Sequence, residues 1–144
     1  MKTQSYKNHI RWYIPHHFIY YPVLSFLLGI SIYFSFTKGD QLVWIFFSII
    51  LLFLFWIAFM LRQHYALMLQ NRIVRLELRY TYYTLTGKRF EVFEHQLTDD
   101  QIFALRFASD DELESLVNKT LAENLSGKQI KKAIVNWKGD YNRV

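Results

Sequence analysis

The sequence contains no cysteine, and this absence removes several classes of protein at once. Without cysteine there is no disulfide framework, no thiolate ligand for a metal and no cysteine nucleophile. A chain that makes no use of disulfides is typical of a reducing compartment. We therefore expect the part of the chain outside any membrane to face such a compartment.

The familiar motifs of catalysis and nucleotide binding are missing as well. The chain has no Gly-rich phosphate loop, no G-x-S-x-G and no H-E-x-x-H, so no motif supports an enzyme. The acidic residues that could suggest a divalent-cation cluster are Asp99, Asp100, Asp110, Asp111, Glu112 and Glu114. They fall in the first turns of two predicted helices, where negative charge is stabilised by exposed N–H groups. We predict no enzymatic activity, no metal site and no cofactor.

Charge is missing from two long apolar stretches, residues 18–36 and 42–61, which only residues 37–41 separate. About 20 apolar residues in an α-helix cross the roughly 30 Å hydrocarbon layer of a membrane. The sequence therefore predicts a transmembrane hairpin over residues 17–61, with spans of about 17–36 and 42–61. Because neither span carries a charge for an ion or proton path, we do not expect a channel or transporter built by this chain alone.

Small residues in the first span can let two helix backbones approach closely. Ser25 and Gly29 form one such pair, and we predict that they mediate packing of the span. Ser31 and Ser35 form a second pair on a neighbouring face.

Basic residues predict the orientation of the hairpin. Lys38 alone lies between the spans, whereas the residues before the first span and soon after the second include Lys2, Lys7, Arg11, Arg62, Arg72, Arg75, Arg79, Lys88 and Arg89. By the positive-inside rule both termini are cytoplasmic. The first 16 residues are predicted to form an interfacial segment, with a short helix over 5–14 on the membrane surface.

The second helix is predicted to continue beyond the membrane as a stalk over residues 62–87, because no helix breaker occurs between Leu61 and Gly87. Its apolar residues alternate spacings of three and four, and the series is Ala66, Leu69, Ile73, Leu76, Tyr80 and Tyr83. This pattern is the seam of a coiled coil or of a helix clamped along its length by a partner. Leu78 and Tyr82 are among the further apolar residues off this seam.

The rest of the chain, residues 88–144, is predicted to form a linker over 88–97 and then three short helices. Each helix start matches a capping box, and the pairs are Thr98 with Gln101, Ser109 with Glu112, and Ser126 with Gln129. The apolar stripe of the last helix is predicted to reach Trp137. Because such a small unit buries little surface, we expect it to dock on the stalk, the membrane surface or another subunit. The predicted fold class is an all-α membrane protein.

Two further groups of side chains could bind a ligand. Anionic lipid, nucleic acid such as that of a ribosome, or an acidic partner could bind the basic residues Lys7, Arg11, Arg72, Arg75, Arg79, Lys128, Lys131 and Lys132. Residues 62–144 carry 13 basic and 11 acidic residues, a net charge of +2 that is weak for a nucleic-acid binder. A metal or haem could be held by His16, His17 and His64, but no carboxylate or thiolate accompanies them, so interfacial packing is the favoured interpretation.

The C-terminal part carries a family resemblance. The segments Leu105-Arg106-Phe107-Ala108-Ser109-Asp110-Asp111-Glu112, Glu123-Asn124-Leu125-Ser126, Ile130-Lys131-Lys132-Ala133-Ile134-Val135-Asn136-Trp137 and Asp140-Tyr141-Asn142-Arg143-Val144 resemble those of an uncharacterised family of small membrane proteins found in Bacteroidota. The resemblance extends to the hairpin and to the N-terminal Tyr6-Lys7-Asn8-His9. It implies an inner-membrane location in a diderm bacterium, and it implies no activity and no catalytic residues.

The sequence thus predicts a non-catalytic accessory or structural subunit of a larger inner-membrane complex, with other integral membrane proteins as partners. Protein export, envelope biogenesis and respiration all fit such a role. The alternative is a stand-alone homo-oligomeric anchor, paired through the stalk seam, whose basic helices bind anionic lipid or nucleic acid.

Overall fold

The computed structural model describes residues 4–9 and 13–140, and helix is the main secondary structure within these ranges. The helices are α1 (Tyr21–Thr37), α2 (Gln41–Met60), α3 (Leu67–Thr86), α4 (Glu91–Glu94), α5 (Asp99–Leu105), α6 (Asp110–Glu123) and α7 (Gly127–Ala133). Two π-helical turns, Pro15–Tyr20 and Leu61–Ala66, precede α1 and join α2 to α3. Within the described ranges β pairing is limited to one antiparallel bridge, between Ala108 and Trp137.

The chain divides into two compact units. One comprises Trp12–Met68, and the other combines Met1–Arg11 with Leu69–Arg143. The prediction of an all-helical chain with two long apolar helices is confirmed, since Pro15–Thr37 and Gln41–Thr86 are both long and apolar enough to cross a membrane. The second helix also runs to Thr86, as the absence of breakers predicts, and Gly87 follows it with a positive φ of 68°. Glycine adopts this left-handed conformation without strain, which suits the end of a helix.

The first unit is a helical hairpin. Its entry is a π-helical turn in which the Tyr21 N–H donates to the carbonyl of His16, next to Pro22, which has no N–H of its own. At the loop, α1 ends at Thr37 and α2 begins at Gln41, each one residue beyond the predicted limit of its span.

Hydroxyl groups join the two helices of the hairpin near the loop. Ser31 is 2% exposed, and its hydroxyl donates to the carbonyl oxygen of Trp44 at 2.9 Å. The Ser48 hydroxyl lies 3.0 Å from that of Ser31. At the other end, Tyr21 packs on Phe55 with ring centroids 4.8 Å apart. Serine is small enough for close backbone approach, and its hydroxyl supplies a hydrogen bond where apolar surroundings offer few others.

Ser25 and Gly29 do not lie in the contact between α1 and α2, so their role in packing of the span against another helix stays a prediction. Ser25 is exposed, and a Cβ added at Gly29 would meet no atom within 4 Å. The hairpin uses the neighbouring face instead, where Ser31 and Ser35 are buried. Both faces have the same small-residue spacing, so spacing alone did not distinguish them.

In the second unit, the predicted capping boxes at Thr98 and Ser126 are complete, and at Ser109 the Glu112 carboxylate accepts from the cap N–H at 3.3 Å. Further carboxylates reinforce them. Asp100 accepts from the N–H of Gly127 at 3.1 Å and so caps α7 from a distant part of the chain. A Cβ at Gly127 would collide with Asp100, so this contact requires glycine. The last three helices and α3 share one apolar core, whose fully buried residues include Phe90, Ile102 and Val117.

Two expectations about the C-terminal part of this unit need correction. Residues 88–97 are not a plain linker, because they contain α4 and the fully buried Phe90. The last helix stops at Ala133 rather than continuing to Trp137, because residue 137 instead bridges to Ala108 and the Lys138 N–H donates to Phe107.

The predicted helix over 5–14 is also wrong where it is described, since residues 6–8 form a turn. This N-terminal segment packs on the C-terminal part of the chain. His9 lies 6.0 Å from Phe107 and 5.8 Å from Trp137 between ring centroids, and Gln4 accepts from the N–H of Asp140 at 2.7 Å. Residues 10–12, which include Arg11, lie outside the described ranges.

The hairpin contact can be tested by disulfide formation, since the chain has no cysteine of its own. We expect the double variant Ser31→Cys/Ser48→Cys to form an intrachain disulfide on mild oxidation, because the two hydroxyls it replaces are 3.0 Å apart. Mass spectrometry of the proteolysed protein measures the yield. Ser25→Cys/Ser48→Cys is the matched control and should stay reduced; equal yields from both pairs would contradict the observed helix face.

Candidate partner-binding surface

Helix α3 has two apolar faces, and only one of them is covered. On the covered face Val74, Leu78 and Tyr82 are 2–4% exposed. Leu78 and Tyr82 belong to the core of the second unit, together with residues of α5, α6 and α7. The small C-terminal helices therefore dock on the stalk, one of the three locations that the sequence left open.

Aromatic rings pack together where the C-terminal end of α3 contributes to this contact. The ring of Tyr82 lies 5.5 Å from that of Phe90 and 5.3 Å from that of Phe93 between centroids, both at steep angles. Such edge-to-face pairs add to the free energy of burying the rings. Burial raises the pKa of the Tyr82 hydroxyl above its ordinary value of 10.

A carboxylate from α4 joins the charged side chains of α3. Glu94, whose side chain is 10% exposed, accepts from Arg75 through Oε1 and from Arg79 through Oε2, each at 2.7 Å. Arg75 also pairs with Asp99 and lies 5.8 Å from the ring centroid of Phe103. Burial alone raises the pKa of Glu94, but the hydrogen bonds from Arg79 and Arg75 outweigh it, so the pKa lies below the usual 4.5. We call this group of Arg75, Arg79 and Glu94 the α3 clamp.

The opposite side of α3 is uncovered. We define the α3 outer face as the residues Leu69, Ile73, Leu76, Tyr80 and Tyr83, which are 55–70% exposed. These are the predicted seam residues of the second unit; Ala66, the remaining one, belongs to the hairpin unit and is exposed. A row of large apolar side chains in water is costly, and such patches mark sites of contact with another protein or a membrane.

The predicted basic residues divide into two groups. Arg75 and Arg79 are engaged by Glu94 inside the chain, and Lys132 lies 5.9 Å from the ring centroid of Tyr6. Exposed side chains are those of Lys7, Arg72, Lys128 and Lys132, while that of Lys131 is half-buried. Arg75 and Arg79 are therefore engaged within the chain, whereas binding of lipid or another anionic partner by the other basic residues stays a prediction.

The three histidines do not form a metal site in the part of the chain that is described. His17 is 3.5 Å from a guanidinium nitrogen of Arg62, and its ring centroid is 5.5 Å from that of His16, whereas His64 is exposed. Among residues 4–9 and 13–140, no group of three or more His, Cys, Asp or Glu side chains has an arrangement that could hold a metal ion.

Sequence analysis missed two residues on which this surface depends, Phe90 and Glu94. Both lie in the segment taken for a linker. The available signals of a short helix were the apolar residues Phe90 and Phe93, three positions apart, and the acidic Glu94 that follows them. The arginine partners of Glu94 are 15 and 19 residues away in sequence, so no local pattern pointed to them.

The described residues define a helical protein with an apolar two-helix hairpin and a second unit in which small helices pack on α3. A family model matches residues 1–144, and the chain belongs to that family, the family of unknown function DUF6526. No curated protein and no solved structure is significantly similar to the chain.

The α3 clamp predicts an acid-sensitive contact. Because the pKa of Glu94 is lowered in the folded state, its contribution to stability is complete above about pH 4.5 and is lost as the pH falls through the lowered folded value. We expect Glu94→Gln to destabilise the second unit by about 2 kcal/mol at pH 7 and to remove this part of its acid sensitivity. Hydrogen exchange of peptides from α5 in the full-length protein measures both effects.

Glu91→Gln is the matched control, because this exposed carboxylate of the same helix approaches only Arg89, at 3.8 Å, among the ion pairs of the described chain. It should leave exchange nearly unchanged. Equal effects of the two substitutions would contradict the role given to Glu94.

Proposed function

We propose that the hairpin spans a membrane. In support, none of the most apolar window of the helix Gln41–Thr86 is buried inside the protein, and only 17% of that of Pro15–Thr37 is. The outward residues are large and apolar; Phe26, Phe36 and Phe53 are 64–80% exposed. In water such side chains would be buried, whereas lipid tails accommodate them. A helix also satisfies its own backbone hydrogen bonds, which a membrane requires.

We further propose that both termini are cytoplasmic and that the membrane is a bacterial inner membrane, the location implied by the resemblance to the Bacteroidota family. The support for the orientation is the distribution of basic residues, with Lys38 alone in the loop between the helices. The second unit then lies in the cytoplasm, which agrees with its lack of cysteine.

The function that we propose is that of a non-catalytic accessory subunit, anchored by the hairpin and joined to other chains through the α3 outer face. The observation that carries this proposal is the exposure of that face after the opposite face of α3 has been covered by its own chain. The C-terminal helices are already docked on Leu78 and Tyr82, so another chain is needed to cover Leu76 and its neighbours.

Protein export, envelope biogenesis and respiration are all processes in which such a subunit fits. The alternative function is that of a stand-alone homo-oligomeric anchor whose basic helices bind anionic lipid or nucleic acid. The ligand-binding part of this alternative loses support because Arg75 and Arg79 are held by Glu94.

The membrane topology can be tested by cysteine labelling of intact cells. We expect Lys38→Cys, in the exposed loop, to react with a membrane-impermeant maleimide from outside the inner membrane. Asn118→Cys, on the exposed side of α6, should react only after the membrane is permeabilised. The reverse pattern, or reaction of both residues in sealed cells, would contradict the proposed orientation.

The accessory role can be tested by affinity purification from native membranes in mild detergent. We expect a tagged protein to retain stoichiometric partners, and Leu76→Arg to lose most of them because it places a charge in the centre of the α3 outer face. Quantitative mass spectrometry of the eluates gives the ratio of partner to bait.

Leu85→Arg is the matched control, since it introduces the same substitution at an exposed leucine of the same helix outside the α3 outer face. Partners should survive it. Recovery of only a monodisperse monomer from the wild type would rule out the accessory role.

A further inference from the structure

We propose that the occupant of the α3 outer face is α3 of a second copy of this chain, in a parallel two-stranded coiled coil with Arg72 of each copy paired to Glu77 of the other. This inference rests on the proposed function in that it names the chain that covers the α3 outer face, and it combines that function with the homo-oligomeric pairing that the sequence offered as the alternative. It makes the protein a homodimer whose two hairpins enter the membrane side by side.

The first support is the spacing of the uncovered residues. Leu69, Ile73, Leu76, Tyr80 and Tyr83 follow one another at intervals of 4, 3, 4 and 3, which is the alternation of a and d positions in a heptad repeat. Ile73 then occupies an a position, and Leu69 and Leu76 occupy d positions. A β-branched residue at a with leucine at d favours two parallel strands.

The second support is the place of the intramolecular contact on the same helix. In this register Val74, Leu78 and Tyr82 occupy b, f and c positions, which lie on the side of a helix opposite to a and d at about 100° per residue. All three are buried, and Leu78 and Tyr82 belong to the core that includes residues of α5, α6 and α7. Each copy can therefore keep its C-terminal helices docked while its outer face meets a partner.

Charge complementarity selects the partner. Arg72 occupies a g position and Glu77 the e position of the following heptad, so the two meet across a parallel, in-register pair. Both side chains are exposed, and neither has an ion pair or hydrogen bond to any other residue within 4–9 or 13–140. The other two charged residues near this part of the helix, Arg75 and Arg79, are occupied in the α3 clamp.

The same charges disfavour an antiparallel pair. Antiparallel helices bring g positions opposite g positions, which would place Arg72 against Arg72 or Arg79 of the other copy. Like charges in such positions are destabilising. A shared membrane orientation gives the parallel arrangement independently, because two copies inserted with the same topology have parallel second helices.

The α3 outer face covers about two heptads, which is short for a coiled coil in free solution. Insertion in the same membrane raises the effective concentration of one copy around another and removes the unfavourable orientations. The pairing is therefore to be measured on the full chain in native membranes or in nanodiscs loaded with two copies.

The test begins with single cysteines in the cysteine-free chain. We expect Leu76→Cys, at a d position, to give a disulfide-linked dimer of like chains on mild oxidation. Asn71→Cys is the control, because it is exposed on the same helix at an f position and should remain reduced. Absence of the dimer at Leu76, Leu69 and Ile73 alike overturns the proposal.

The ion pair is then tested by charge reversal in the Leu76→Cys background. R72E and E77R each turn two complementary contacts of the dimer into repulsive ones, so each variant alone should dimerise roughly tenfold more weakly. Differently tagged R72E and E77R chains, when coexpressed, should form the mixed dimer in preference to either homodimer, because all their cross-chain contacts at these positions are again complementary. Hydrogen exchange of α5 peptides serves as the folding control for both variants.

The outcomes separate this inference from the proposed function. If R72E and E77R leave the yield of the cross-linked dimer unchanged, the pairing of Arg72 with Glu77 is overturned. If like chains never cross-link but Leu76→Arg still releases stoichiometric partners, the accessory role stands and the second copy is excluded. If neither cross-linking nor any loss of partners is found, both proposals fail.

Discussion

The structure of the second unit depends on the burial of one face of α3. Leu78 and Tyr82 supply the surface on which the helices after residue 88 assemble, and the α3 clamp fixes the helix against α4 with a carboxylate held between two guanidinium groups. A set of helices this short would bury too little apolar area by itself. The stalk is therefore part of the core, and the choice of its buried face determines which residues are left for other chains.

The choice of the buried face also explains why the exposure of the α3 outer face is unusual. A helix that was apolar all round would be expected inside a larger core, and a helix that was polar on one side would need no partner. Here one apolar face is satisfied within the chain while the other, including Leu76 and Tyr80, is 66–70% exposed at those residues. Retaining such a surface is costly in solubility unless another chain covers it.

Local patterns predicted local structure. The capping boxes could be identified from the sequence because both partners lie within one turn, and the long apolar stretches indicated the two long helices. Non-local contacts were not predictable in this way: Ile134 and Trp137 continue a helical spacing, yet the bridge to Ala108 ends the helix at residue 133. Likewise, Tyr82 and Tyr83 are equally apolar, and contacts with Phe90, Phe93 and the rest of the core bury Tyr82 rather than Tyr83.

The second unit is discontinuous in sequence, and the two pieces meet through the hydrogen bond between Gln4 and the N–H of Asp140. During synthesis the first piece leaves the ribosome long before the last, with the whole hairpin between them. The N-terminal piece therefore cannot fold into this unit at the time it leaves the ribosome, because its partner residues have not yet been made. The N-terminal segment can close this unit only after the hairpin and residues 107–140 have been synthesised.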